Sequence, residues 1–334
     1  MNPVRAWRDG IRRVAGAPLI LAGVWLMTTL VSLPLTLALR GEISSHLGAS
    51  LAAETAGSGV NYEWMQEFAD QATGVGTTLK PTILGFGAVL DNLSAFIDNT
   101  SRPLVIVSTA GAYIALWLFV AGGIIDRYAR DRATGAHGFF SASGVFFLRF
   151  FRLAIVMFGV YGLLFGYLHP WLFDRVYPRL IRDVNVERTA FFVRAGLYLG
   201  FGFVLAACNL AFDYAKIRAV VEDRRSALGA LGSALRFIRR NLGAVAAVYL
   251  LSLVLFALTL AAYAAVAPSA GGIGWRMWIG FAIGQCYILG RLCVKLIFWA
   301  SETALFQGRL AHAGYVAAAT PAWPESPSAE ALQG

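Results

Sequence analysis

The chain has 334 residues, of which 58% are hydrophobic and 14% charged, with a mean hydropathy of +0.63 and a formal net charge of +9. Soluble domains carry about a quarter charged residues, so this balance excludes an ordinary soluble enzyme and a disordered chain. The basic excess flanks apolar blocks and forms no separate basic domain with an aromatic reading surface, so nucleic acid is set aside as a partner.

Six segments reach the roughly 20 apolar residues needed to cross about 30 Å of hydrocarbon. They lie near 17–39, 104–125, 153–173, 190–212, 242–266 and 277–299. An open strand in lipid would leave its backbone donors unpaired, so the expected fold class is all-α, a polytopic bundle of six transmembrane helices. The first segment follows Arg5, Arg8, Arg12 and Arg13. It is longer than a signal-peptide core, which runs about 7 to 15 residues, and is read as an uncleaved span.

The linker at 40–103 carries seven acidic residues, Glu42, Glu54, Glu63, Glu67, Asp70, Asp91 and Asp98, against Arg40, Lys80 and Arg102. Helical spacing is predicted over 43–56 and 62–73, joined at Gly57 to Gly59. The apolar run 83–97 is too short to span and is expected to lie against the bundle or the membrane face, so that the linker caps the spans, with binding of a periplasmic partner as the alternative. His169-Pro170 interrupts the end of the third span, and Arg194 near the start of the fourth can snorkel to the headgroups. A single transmembrane domain is expected over 1–313, followed by a proline-rich, disordered cytoplasmic tail at 314–334. Cys208, Cys286 and Cys293 sit inside apolar spans, with no CxxC pair and hence no disulfide framework or zinc site.

Orientation follows from the basic residues. Sixteen fall on the side of the N-terminus: Arg5, Arg8, Arg12, Arg13, Arg127, Arg130, Arg132, Arg149, Arg152, Lys216, Arg218, Arg224, Arg225, Arg236, Arg239 and Arg240. Nine fall on the other, five of them in the segment Arg175 to Arg194, which runs against the trend. The positive-inside rule then places both termini in the cytoplasm and the protein in a bacterial inner membrane.

Each odd-numbered span is preceded by a short basic, partly apolar segment: Trp7 to Val14, Phe147 to Arg152 and Ala234 to Arg240. The last two share Leu-Arg-Phe-X-Arg-like sequences, and Val160-Tyr161 and Val248-Tyr249 follow at nearly equal distance. Such segments suit amphipathic elbow helices lying in the interface, in contact with anionic lipids of the cytoplasmic face. Even-numbered spans each end on a carboxylate: Asp126, Asp213 and Glu302. The pattern is compatible with three repeated helix pairs, or with short apolar motifs that recur by chance at span flanks.

Ionisable groups inside spans are costly and are functional candidates by default. Arg291 and Lys295 lie one turn apart on the sixth span, with Glu302 beyond them. An interhelical ion pair of Arg291 with Asp213 or Asp126 is expected; snorkelling and a substrate or headgroup site are the alternatives. Catalytic templates lack their partners. His46, His137, His169 and His312 show no metal spacing, and His169 reads as an interfacial span end. Asp126 to Arg130 is similar to the first part of a CDP-alcohol phosphotransferase motif without the later paired aspartates. Ser141 to Gly144 resembles a rhomboid serine loop without a histidine in the later spans. No catalytic residue, metal ligand or cofactor is therefore assigned, and no enzymatic activity is expected.

The stretch Phe212 to Leu231, leading into Leu235 to Arg240, resembles a family of uncharacterised bacterial multi-pass inner-membrane proteins. In layout the chain is also distantly similar to the membrane domains fused to some glycerophosphodiester phosphodiesterases. The resemblance implies a polytopic membrane protein and no particular functional residue. Two functions of different class follow. One is a structural or accessory membrane component with an as yet undefined protein partner. The other is a transporter or channel for a lipid or small solute, with Arg291, Lys295, Asp213 and Asp126 lining a vestibule. A cavity reaching the midplane favours the second, a bundle packed shut the first; few midspan polar residues, chiefly Asn209 and Gln285, favour the first.

Overall fold

A computed structural model of the chain describes residues 1–57, 61–80, 85–268 and 274–310. The expected tail at 314–334, His312, and part of the 267–276 linker lie outside the described residues. The regular secondary structure of the described residues is all helical, with no strand among them. Six helices are long and apolar enough to cross a membrane, as the composition predicts.

Helix α1 (Pro3–Ala15) starts where Asn2 accepts a hydrogen bond from Val4 N at 3.1 Å and Pro3 takes a first-turn position that needs no donor. Gly16 closes it, and Pro18 opens α2 (Pro18–Ala49). The first span thus runs ten residues past its predicted end at 39, because nothing between Arg40 and Ala49 stops a helix once it leaves the hydrocarbon. The predicted helix over 43–56 is divided by Ser50, whose Oγ accepts from Ala52 N at 3.1 Å and donates to Glu67 at 2.8 Å. Short helices α3 (Ala53–Gly57), α4 (Tyr62–Gln71) and α5 (Gly85–Ile97) complete the linker. His46, Trp64 and Phe68 pack as edge-to-face and tilted rings, and Trp64 Nε1 donates to His46 Nδ1 at 3.1 Å, folding α4 back on the end of α2. The linker does cap the spans. Asn99 donates to the Phe165 carbonyl at 3.0 Å, and hydrogen bonds from Tyr198 and Ser94 hold the Asp98 carboxyl below the usual carboxylate range.

Helices α6 (Leu104–Arg130) and α7 (Ala136–Leu163) follow. The expected interruption at His169-Pro170 is corrected: the third span continues through two π-helical stretches, Leu164–Leu168 and Trp171–Val176, into α8 (Tyr177–Leu180). Widened turns relieve the clash between a proline ring and the carbonyl of the preceding turn, so the helix passes the proline unbroken. His169 is buried, with Nε2 2.8 Å from the Ile97 carbonyl, and holds α5 rather than marking an interface. Helix α9 (Glu187–Val221), α10 (Ala227–Arg240, capped by Ser226), α11 (Leu242–Val266) and α12 (Trp275–Arg309) complete the fold.

The elbow expectation is borne out for α1 and α10 as separate helices and corrected for 147–152, which is continuous with its span inside α7. No glycine, proline or asparagine stands between Val145 and Phe158, whereas Gly16, Pro18 and Asn241 interrupt the other two. The apolar faces are also used differently from expectation, packing on other helices instead of only on lipid. Ala6, Gly10 and Val14, spaced one turn apart, pack on α12; Ser143, Phe146 and Phe150 pack on α6; Ala230, Ser233, Ala234 and Phe237 are buried beside α9. Each elbow therefore packs on the even-numbered span before it, and α1 closes the circuit on the last span. The same spacing separates Asp126 from Asp213, Arg149 from Arg236 and Phe150 from Phe237.

At the elbow end the circuit encloses the last turns of α12, buried continuously from Trp299 to Phe306. Arg13 donates to the Tyr128 carbonyl at 2.6 Å and to Gln307 at 2.9 Å, and Gln307 donates to the Ala129 carbonyl at 2.9 Å. Loop residues Asp131 and Asp223, both at left-handed φ, bridge to Arg12 and Arg149. Partial burial pushes the Glu222 carboxyl up, but hydrogen bonds from Arg218 and Arg224 outweigh it and hold the group below its ordinary value. At the other end the helices present Leu104, Phe191, Phe192, Trp275 and Trp278 outward, as lipid-facing surfaces do.

Candidate functional site

Beneath the elbow layer, α6, α7, α9, α11 and α12 surround two adjoining cavities. Helix α9 sets Asn209, Asp213 and Lys216 on one face, a spacing of four and then three residues. Asp213 is buried and accepts three hydrogen bonds: from Lys216 at 2.6 Å, from Asn209 at 3.1 Å and from the Trp299 indole at 3.3 Å. Lys295 of α12 places Nζ 3.4 Å from the centroid of the Trp117 ring and 5.4 Å from that of Trp299. The two indoles meet edge to face at 5.4 Å, and Lys216 lies 5.2 Å from the same Trp299 ring. Aromatic faces thus replace part of the hydration that these ammonium groups lose inside the bundle.

The first cavity, about 390 Å³, is lined by these residues with Tyr113 and Phe298. The second, about 400 Å³, lies between α11 and α12 and is lined by Tyr113, Tyr249, Ser252, Arg291, Lys295 and Phe298, among others. Lys295 stands in the wall of both. Together the walls hold three cations, Lys216, Lys295 and Arg291, and one carboxylate, Asp213.

The expected pair of Arg291 with Asp213 or Asp126 is not formed. Asp213 takes Lys216, and Asp126 takes Arg130 at 2.8 Å, each from its own helix. A base three or four residues along the same helix reaches a carboxylate without drawing two spans together, so the local pairs win. Arg291 and Lys295 make no ion pair among the described residues. Of the five singled-out residues, the structure brings Arg291, Lys295 and Asp213 together. Asp126 lies apart, in a pocket at the elbow end of about 440 Å³ with Arg130, Thr134, His137 and Asp223.

Glu302 is in the enclosed end of α12, 1% exposed, and neither carboxyl oxygen has a hydrogen-bond partner among the described residues. Burial of a polar group without a partner costs about 1–3 kcal/mol, so Glu302→Met is expected to raise the stability of the purified protein by about that amount. Thermal unfolding in detergent checks this. A lowered melting temperature would mean that the carboxyl is used in the fold.

The residues missed by sequence reasoning are Lys216, Trp117, Trp299, Tyr249 and Ser252. The Asn209, Asp213, Lys216 spacing was a usable signal for the first. The serine of the rhomboid-like sequence, Ser143, is inside the N-terminal third of α7 against Gly123, so it packs helices and sits in no loop.

These features define the class: an all-α, multi-pass membrane protein with a cation-lined chamber between its spans. No family model, curated protein or solved structure matches the chain.

Proposed function

We propose that the protein binds an anionic substrate in the chamber between α6, α7, α9, α11 and α12 and acts, without catalysis, as a transporter or carrier of a lipid or small solute. The observation that carries this reading is the pair Arg291 and Lys295, two cations within the elbow half of the sixth span that line a cavity and have no carboxylate partner among the described residues. A bundle with a purely structural role gains nothing from such groups, because uncompensated charge inside a membrane is expensive. The cavities reverse the weight that few midspan polar residues gave to an accessory role. That second reading retains one favourable observation, the enclosed end of α12, which makes a rigid scaffold on which a protein partner could assemble.

The test is thermal stability of the purified chain in detergent against a panel of anions, namely phosphate, sulfate, citrate and anionic phospholipid. At least one is expected to stabilise the wild type and to lose that effect in Lys295→Met. A flat response to every anion, with a stoichiometric protein partner retained in native mass spectrometry, would leave the accessory reading standing instead.

The proposal includes a bacterial inner membrane, with the elbow end and both termini cytoplasmic, supported by the sixteen to nine division of basic residues. Alkaline phosphatase, active only outside the cytoplasm, is expected to be active when inserted at Gly74 in the 40–103 linker and inactive at Arg132. The reverse pattern would invert the topology.

A further inference from the structure

Three observations meet in the cavity between α11 and α12. The first is charge: Arg291 and Lys295 enter its wall without a carboxylate, so the cavity is suited to one or two negative charges. The second is an orphaned donor. Ser252 is 3% exposed and lines the cavity, yet its hydroxyl has no hydrogen-bond partner among the described residues. A serine in a span ordinarily returns its hydrogen bond to the carbonyl one turn back, as Thr259 does to Leu255 at 2.9 Å on this same helix. The third is the direction in which the cavity opens. Arg291 and Leu253 line it and are also exposed on the outside of the bundle, and Leu250 and Val254 flank them as exposed apolar residues. Ser252 lies roughly 15 Å along α11 from Leu242, at the depth of acyl chains and not of water.

An arginine fork, an ammonium and a hydroxyl converging on one space fit a tetrahedral oxyanion, because the planar guanidinium bonds two oxygens while the others reach a third. An occupant that comes from the side of α11 crosses an apolar surface and must itself be amphiphilic. We infer that Arg291, Lys295 and Ser252 bind the phosphate group of a membrane phospholipid that enters sideways past α11, with its acyl chains left along Leu250, Leu253 and Val254. This rests on the anionic-substrate reading above and narrows it to one class. Tyr249, in the same wall, supplies a further hydroxyl near the phosphate.

The experiment is native mass spectrometry of the delipidated full-length protein titrated with phosphatidylglycerol, with diacylglycerol of the same acyl chains, and with inorganic phosphate. One phosphatidylglycerol is expected to stay bound and diacylglycerol to be lost. Arg291→Met should weaken retention about ten-fold or more and Ser252→Ala about three-fold, since losing a charge-assisted hydrogen bond costs more than losing a neutral one. Arg291→Lys should fall between wild type and Arg291→Met, and Arg240→Gln, on the exposed elbow, should bind as wild type does. If Arg291→Met does not fold, Arg291→Lys and Ser252→Ala carry the comparison. Equal retention of diacylglycerol, or an Arg240→Gln loss as large as that of the cavity variants, would overturn the site. Displacement of the lipid by millimolar inorganic phosphate would replace the phospholipid by a free anion and leave the broader reading intact. Wild-type indifference to all three, together with the flat anion panel, would remove both.

Discussion

Gly10→Ala is expected to destabilise the protein by about 3 kcal/mol, read as a fall in melting temperature of the detergent-purified chain and a weaker monodisperse peak. A β-carbon at Gly10 would stand 2.7 Å from the backbone nitrogen of Ser301 and 2.8 Å from its Cα. These are main-chain atoms of a helix buried on all sides, so no side-chain rotation makes room, and α1 would have to lift from α12. Lifting it would also strain the bonds from Arg13 to Tyr128 and Gln307. Gly144→Ala is the control: its β-carbon would meet nothing within 4 Å, and it sits in a helix interior, where alanine is favoured by roughly 0.5–1 kcal/mol. A Gly10→Ala protein as stable as wild type would mean that α1 does not pack on α12 as described.

Asp213→Ala is expected to be equally severe, roughly 3–5 kcal/mol, because it takes a buried acceptor away from three donors at once. Lys216 would be left as a third cation in the chamber walls with no carboxylate beside it, and the Trp299 and Asn209 donors would be released. Asp213→Asn keeps the shape and part of the hydrogen bonding but removes the charge, and should lose roughly half as much. The double variant Asp213→Ala with Lys216→Met is expected to recover part of the loss, since the uncompensated charge goes with its partner. The readout is again thermal unfolding, and a double variant no better than the single one would show that the ion pair is not what holds α9 in place.

The spans were legible because lipid leaves the chain a single local choice: about 20 apolar residues must be helical wherever they pack. The basic elbows were legible as positions for the same reason, with charge bracketing each apolar block. Their partners were not. Ala6, Gly10 and Val14 mark a face one turn apart, but nothing in residues 3–15 says that the face meets Ser301, nearly the whole chain away. The chamber was half legible. Arg291 and Lys295 announced themselves as charges out of place, and Asp213 as a span-end carboxylate, yet the pairing of Asp213 was assigned to the wrong base. The nearer one, Lys216, reads in the sequence as one more flanking charge. Ser252 and the two tryptophans carried no signal at all, since an isolated serine or tryptophan in a span is ordinary and only the three-dimensional arrangement makes it a wall. The π-turns around Pro170 escaped for a different reason: a proline in a span reads as a break unless the backbone is seen to widen around it.

The circuit of elbows has a consequence for how the protein is made. Helix α1 is synthesised before its seat on α12, which lies more than 280 residues further along the chain. Until α12 is inserted, the apolar stripe of α1 has only the bilayer surface to rest on, and its arginines keep it there. The elbow that waits longest therefore needs interfacial character of its own, and α1 carries four arginines, Arg5, Arg8, Arg12 and Arg13, against Asp9, a net charge that α10 does not exceed.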